Sequence, residues 1–206
     1  MYSTRTGLIL AFHGCDKSVI DKIVSQGKTL ESSKNDYDWL GNGIYFWEND
    51  PKRALEYATR LKNSPGKKHS IKIQEPAVIG AVINLGYYLD LLDYGNLKFV
   101  KEGYDFLVQT YNKAELKLPQ NKKIKESKDI LIRDLDCAVI ETLHKTREKK
   151  NEKPFDSVRG VFWEGDELYP SSGFREKDHI QICVRNPNCI KRFFLPRELN
   201  KSFSKV

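Results

Sequence analysis

The sequence predicts an α+β fold with a helical insertion, and three observations carry that prediction. Short β-like apolar runs stand near both ends of the chain, segments of helical period lie between them, and no internal repeat or low-complexity tract interrupts the order. A chain of 206 residues, 39% hydrophobic and 11% aromatic, is long enough to bury one substantial core, so a single domain over 1–206 is expected.

The elements follow in order. "TGLILAFHG" reads as a strand, and "CDKSVIDKIVSQG" as a short helix with Asp16 as N-cap, an apolar stripe of Val19, Ile20, Ile23 and Val24, and Gly27 as the stop. A polar loop, "KTLESSKNDYDWLGNG", feeds a second strand, "IYFW". "NDPKRALEYATRLKN" is a helix capped by Asn49 or Asp50, with Pro51 in the first turn, where its missing N–H costs nothing, and "SPGKK" ends it. "AVIGAVINL" is apolar on both faces, as a central strand should be. From about 87 to 151 the pattern turns helical, in "NLKFVKEGYDFLVQTYNKAEL" and in "DILIRDLDCAVIETLHKTREKKNE", where Leu131, Leu135, Val139 and Leu143 recur at helical spacing. "PQNKKIKESK" joins the two. "SVRGVFW" and "HIQICVRN" then return to strand, separated by "EGDELYPSSGFREKD".

The formal charge of +7 and the pI near 9.1 arise from lysine and arginine spread among plentiful carboxylates. A solvated basic surface explains this on charge alone; a nucleic-acid partner is the alternative. No apolar window reaches the ~20 residues of a membrane span, and the N-terminus lacks the apolar core and cleavage site of a signal peptide, so a cytosolic protein without a membrane partner is expected. The four cysteines form no C-x-x-C pair, so reduced thiols and no metal are expected. H-x-E with P-C-x-x-C, G-x-x-x-x-G-K and H-E-x-x-H are all absent.

Strand alternation sorts the polar residues. His13 shares a face with Ile9 and Ala11, Tyr45 with Trp47, and Gln181 with His179 and Cys183. Each alone has an ordinary explanation: His13 as a satisfied structural group, Tyr45 as a core residue with its hydroxyl hydrogen-bonded at the rim, and Gln181 as a sheet-surface residue.

In order and context, "AFHG", "GNGIYFWENDPKRALEYA" and "HIQI" resemble the ADP-ribosyltransferase superfamily, in the poly(ADP-ribose) polymerase-like branch whose three motif positions are His, Tyr and Glu, Asp or Gln. The resemblance spans about 7–85 and 156–195; the helical segment at 87–151 lies outside it. It implies two packed small β-sheets forming a split NAD-binding cleft, with NAD as substrate. His13 would bond the adenosine ribose, the backbone of Gly14 would meet the nicotinamide amide, Tyr45 would stack on the nicotinamide ring with Gly41 and Gly43 shaping its turn, and Gln181 would accept from the nicotinamide ribose. Cys15 completes the implied NAD-contacting set of His13, Gly14, Cys15, Gly43, Tyr45 and Gln181, and His13, Tyr45 and Gln181 are the implied catalytic residues.

The transition state of such a transfer is an oxocarbenium-like sugar beside a leaving group that is already cationic, so holding and stabilising the sugar is the main work. Gln181 is neutral and lacks the charge of glutamate. Glu48 and Glu176 are the nearby carboxylates, with solvated loop charge as the simpler explanation of both. Tyr169, Phe174, Arg175 and Glu176, in the loop before "HIQI", are the candidates for acceptor recognition. The expected activity is mono-ADP-ribosyl transfer to an intracellular macromolecule, nucleic acid ahead of protein, in a toxin or defence effector. A neutralising antitoxin would be its partner, docked on the helices at 87–151. The alternative is a non-catalytic module that binds NAD, ADP-ribose or RNA.

Overall fold

Glycine and proline punctuate the chain into elements that alternate between one sheet and its covering helices. The computed structural model describes residues 7–63, 73–123, 129–198 and 200–204. Strand β1 (Ile9–Asp16) leads into helix α1 (Lys17–Gln26). The side chain of Asp16 accepts from the Ser18 N–H at 3.0 Å, and Gly27 closes the helix at φ 64°, a left-handed position where glycine is unstrained. Asp16 also accepts from the N–H groups of Gln74 and Glu75, and these bonds together with the Ser18 hydroxyl hold its carboxyl far below the usual range. Strand β2 (Ile44–Glu48) is followed by helix α2 (Pro51–Asn63), capped by Asp50, whose carboxylate accepts from the Arg53 N–H at 2.9 Å. Strand β3 (Pro76–Ile83) and the short strand β4 (Tyr88–Asp90) precede helix α3 (Tyr94–Lys113), the small ribbon of β5 (Asn121–Lys122) and β6 (Ile132–Arg133), and helix α4 (Asp134–Lys149). Strands β7 (Ser157–Phe162), β8 (His179–Val184) and β9 (Ile190–Phe194) complete the fold.

The fold is α+β. Among the described residues the main sheet has seven strands in the order β4-β7-β8-β2-β1-β3-β9, antiparallel except for the parallel pair β4–β7. The two packed sheets expected from sequence are instead one continuous sheet. Its halves meet at a seam: β1 pairs with β3 from Ile9↔Ile83 to Asp16↔Pro76, whereas it pairs with β2 only at Ala11↔Glu48 and Phe12↔Trp47.

One face of the sheet, with Ala11, Cys15, Phe46, Ile79, Ala81 and Ile182, is buried against Ile20 and Ile23 of α1. On the other, α2 sets Ala54 against Phe12 and Trp47, while Ile140 and Leu143 of α4 cover Leu89, Val158 and Cys183. Helices α3 and α4 pack on each other, and Gly103 permits it: a side chain there would lie 3.2 Å from the Val139 carbonyl.

Several expectations shift. Val24 is exposed, leaving Ile20 and Ile23 as the buried stripe of α1. Tyr88–Asp90, counted with the insertion, is an edge strand of the main sheet, and the second helix starts at Asp134 because Arg133 still belongs to β6. "SPGKK" lies outside the described residues, as do residues 124–128 of the lysine-rich connection.

Candidate functional site

The three motif residues fall on three neighbouring strands, β1, β2 and β8, at the seam of the sheet. His13 follows the last β1–β2 pair, and its ring spans the widening gap: Nδ1 donates to the Tyr45 carbonyl at 2.7 Å. A carbonyl only accepts, so Nδ1 carries the hydrogen and Nε2 presents a lone pair. Burial lowers the pKa of this half-buried imidazole against the opposing pull of that carbonyl, so the ring is neutral at pH 7. It packs edge-on to Phe46, with centroids 5.8 Å apart.

Tyr45 and Gln181 share the opposite face, since Tyr45 faces Cys183 and Gln181 faces Trp47 across the β2–β8 ladder. His13 continues the alternation of Ala11 and Cys15, so it meets the other two through the seam and the Tyr45 main chain. The Tyr45 hydroxyl is committed to its own loop, accepting from the Leu40 N–H at 2.9 Å and donating to the Gly41 carbonyl at 2.8 Å; only the ring is left to meet a ligand. Gly41 takes φ 82°, and Gly43 lies so close to β8 that a side chain would come 2.5 Å from Cys183 Sγ.

Gln181 is held by a residue that the sequence reading did not single out. Trp39 Nε1 donates to Gln181 Oε1 at 2.7 Å, which uses one lone pair of the amide carbonyl and turns the N–H₂ end away from the indole. Helix α4 reaches this region twice. Arg133, just before it, lies over the Trp39 ring at 4.4 Å. Glu141 accepts from the Asn42 N–H at 2.8 Å within "GNG" and pairs with Arg185. Burial pushes the Glu141 carboxyl up, but Arg185 and the Asn42 N–H more than offset that.

The two residues after His13 are closely packed. A side chain on Gly14 would run into the Ala54 carbonyl, so this glycine lets α2 settle on the sheet. Its main chain faces β3 through the pair Gly14↔Val78, while beyond Phe12 no described strand pairs with β1 on the β2 flank. Cys15 points into the core, where burial pushes its thiol up to about 12, so only its backbone is accessible to a ligand. Glu48 is not a spare carboxylate. It accepts from Arg159 Nε at 2.6 Å, and Arg159 also reaches Asp90, tying β2 to β4 across β8.

The loop between β7 and β8 doubles back on itself, with Leu168 N–H bonded to the Phe174 carbonyl at 3.1 Å and Glu176 N–H to the Asp166 carbonyl at 3.0 Å. It displays Tyr169 and Phe174 with 57% and 65% exposure, and Trp163 at its start with 60%. Glu176 is exposed, and Arg175 pairs with Asp129 at 2.7 Å.

Sequence reading also missed the aromatic cluster between α2 and β8. The Trp47 ring lies 5.0 Å from Tyr57 and 6.1 Å from His179, and Arg53 pairs with Glu164 nearby. A tyrosine two turns into the helix after "GIYFW" was its only sequence signal. No group of three or more potential metal ligands occurs among the described residues.

Comparison with known proteins adds one relative. The chain is 28% identical over 200 residues to the uncharacterized protein MJ0359 of Methanocaldococcus jannaschii. The likeness covers 88% of this chain and 84% of that protein. No family model matches, and no solved structure matches. No described helix is long and apolar enough to cross a membrane.

Proposed function

We propose that this chain has the ADP-ribosyltransferase fold and transfers a single ADP-ribose from NAD to a macromolecular acceptor. The observation that carries the reading is the His13 ring spanning the β1–β2 seam onto the Tyr45 carbonyl, with Gln181 on the next strand. That bond fixes the tautomer, and the free lone pair at Nε2 suits a ribose hydroxyl as donor. The open β1 flank beyond Phe12 offers main-chain groups to an amide, and the half-buried Tyr45 ring offers an apolar surface.

NAD supplies a sugar already bonded to a cationic leaving group. In the transfer the bond between that sugar and nicotinamide breaks, nicotinamide keeps the electron pair, and an acceptor oxygen or nitrogen bonds to the sugar carbon and loses its proton. His13 holds one ribose, and Gln181 orients the other through its amide. The acceptor meets the β7–β8 loop. Its exposed Trp163, Tyr169 and Phe174 rings favour a single-stranded nucleic acid over protein, because bases of any identity stack on aromatic faces.

A second reading, a module that binds NAD or ADP-ribose without turnover, has its own support. The third motif residue is neutral and its carbonyl is turned toward Trp39, from which it already accepts. Calorimetry with NAD, together with chromatography for released nicotinamide, separates the two. Binding with release supports the transferase, binding without release supports the module, and no binding to wild type rejects both. His13→Ala is expected to abolish binding.

A further inference from the structure

We propose that Trp39 and Arg133 are positioning residues for Gln181, and that through them the helical insertion fixes the amide with its N–H₂ end, not its carbonyl, toward the substrate. The inference rests on the transferase reading and says what the insertion contributes to it.

An indole nitrogen only donates, so its partner at 2.7 Å is the amide oxygen, and the orientation of Gln181 follows from chemistry. Among the described residues no group takes the two hydrogens of Gln181 Nε2. Trp39 itself is firmly seated. It is 8% exposed and lies against Gly160, the Cα partner of Gln181 on β7, where a side chain would come 2.8 Å from the indole Cη2. Phe162 meets the ring edge-on at 5.3 Å. The Arg133 guanidinium covers it at 4.4 Å, an arrangement that attracts a cation to the indole face.

Arg133 is anchored in turn. Its Nε donates to Asp136 at 2.5 Å, and the side-chain oxygen of Asn121 accepts from the N–H groups of Leu135 and Asp136, fixing the first turn of α4 to β5. A continuous set of contacts therefore runs from the insertion to the amide. Held this way, Gln181 donates to a ribose oxygen and places no carbonyl beside the developing sugar cation. The expected result is an enzyme selected for holding its dinucleotide, with slow bond cleavage.

The test combines binding with a probe of the indole itself. Trp39→Phe keeps the ring and removes the N–H. It is expected to weaken NAD binding by about fivefold to tenfold, the value of one hydrogen bond, with kcat changed less than KM. In a Gln181→Ala background the same substitution should have no further effect on NAD affinity, and Arg133→Gln should follow the same pattern. Independently, the Trp39 indole N–H resonance in ¹⁵N NMR should shift on Gln181→Ala and be protected from exchange in wild type. Equal losses of affinity in both backgrounds, or an indole resonance indifferent to Gln181→Ala, overturn the proposal. Wild type that fails to bind NAD overturns the transferase reading, while the indole resonance still decides whether Trp39 holds Gln181.

Discussion

His144 makes the stability of this protein sensitive to mild acid. It lies on α4 with 1% exposure, neither ring nitrogen has a partner among the described residues, and the edge-on ring of Phe155 sits 5.8 Å away. Burial, and then the charge of Arg185, hold its pKa down to about 3 from 6.5, with Arg147 adding to the effect and Glu141 opposing it. Because the folded pKa is the lower one, the unfolded chain takes the proton first as pH falls. The stability gained by keeping the ring neutral is therefore complete above pH 6.5 and is lost progressively between pH 6.5 and 3. Each pH unit in that window is worth about 1.4 kcal/mol, so moving from pH 7 to pH 5 costs about 2 kcal/mol through this residue alone. Urea unfolding of wild type and His144→Leu at both pH values measures it. The difference between the two pH values should shrink by about 2 kcal/mol in the variant. His13 and His179 are also held low and act in the same direction, so wild type loses more than His144 contributes. The lowered carboxylates, such as Asp16 and Glu141, act at more acid pH. An equal loss in His144→Leu and wild type refutes the reasoning.

Three further outcomes follow from the geometry. Gly14→Ala drives a methyl into the Ala54 carbonyl, which cannot rotate aside, and should cost at least about 2 kcal/mol, read as a drop of several degrees in Tm. Arg159→Met removes the cation shared by Glu48 and Asp90 inside the sheet and should cost about 3–5 kcal/mol in chemical denaturation. On the proposed transferase reading, Gln181→Glu keeps an oxygen for the Trp39 N–H and adds a charge where the nicotinamide ribose would lie, so single-turnover nicotinamide release should rise about tenfold or more.

Where the candidate residues sit on their strands was legible because it depends on local grammar. Asp16 and Gly27 announced the ends of α1, and the alternation in "LILAFHG", "IYFW" and "HIQI" placed His13, Tyr45 and Gln181 on the correct faces of their strands. What the sequence hid depends on distant contacts. Trp39 sits in a polar loop with no periodicity, and its meeting with Gln181 requires the β2–β8 pairing, a glycine at position 160 and an arginine nearly a hundred residues further on. Gly14 enters the resemblance because glycine permits close approach; the element that packs against its Cα is α2. Tyr88–Asp90 was taken for insertion because three residues carry no pattern, and only the parallel partner β7 makes them a strand. The continuous sheet was hidden likewise, since a two-pair ladder joins what the family resemblance implies as two separate sheets.

On the transferase reading, the seam between β1 and β2 binds NAD for transfer. Incubating the protein with NAD labelled in its adenylate portion and total cellular RNA and protein, followed by nuclease and protease digestion, tests it most directly. Label is expected in a nuclease-sensitive product, lost in His13→Ala and increased in Gln181→Glu. Intact NAD with no labelled macromolecule, from wild type and Gln181→Glu alike, contradicts it.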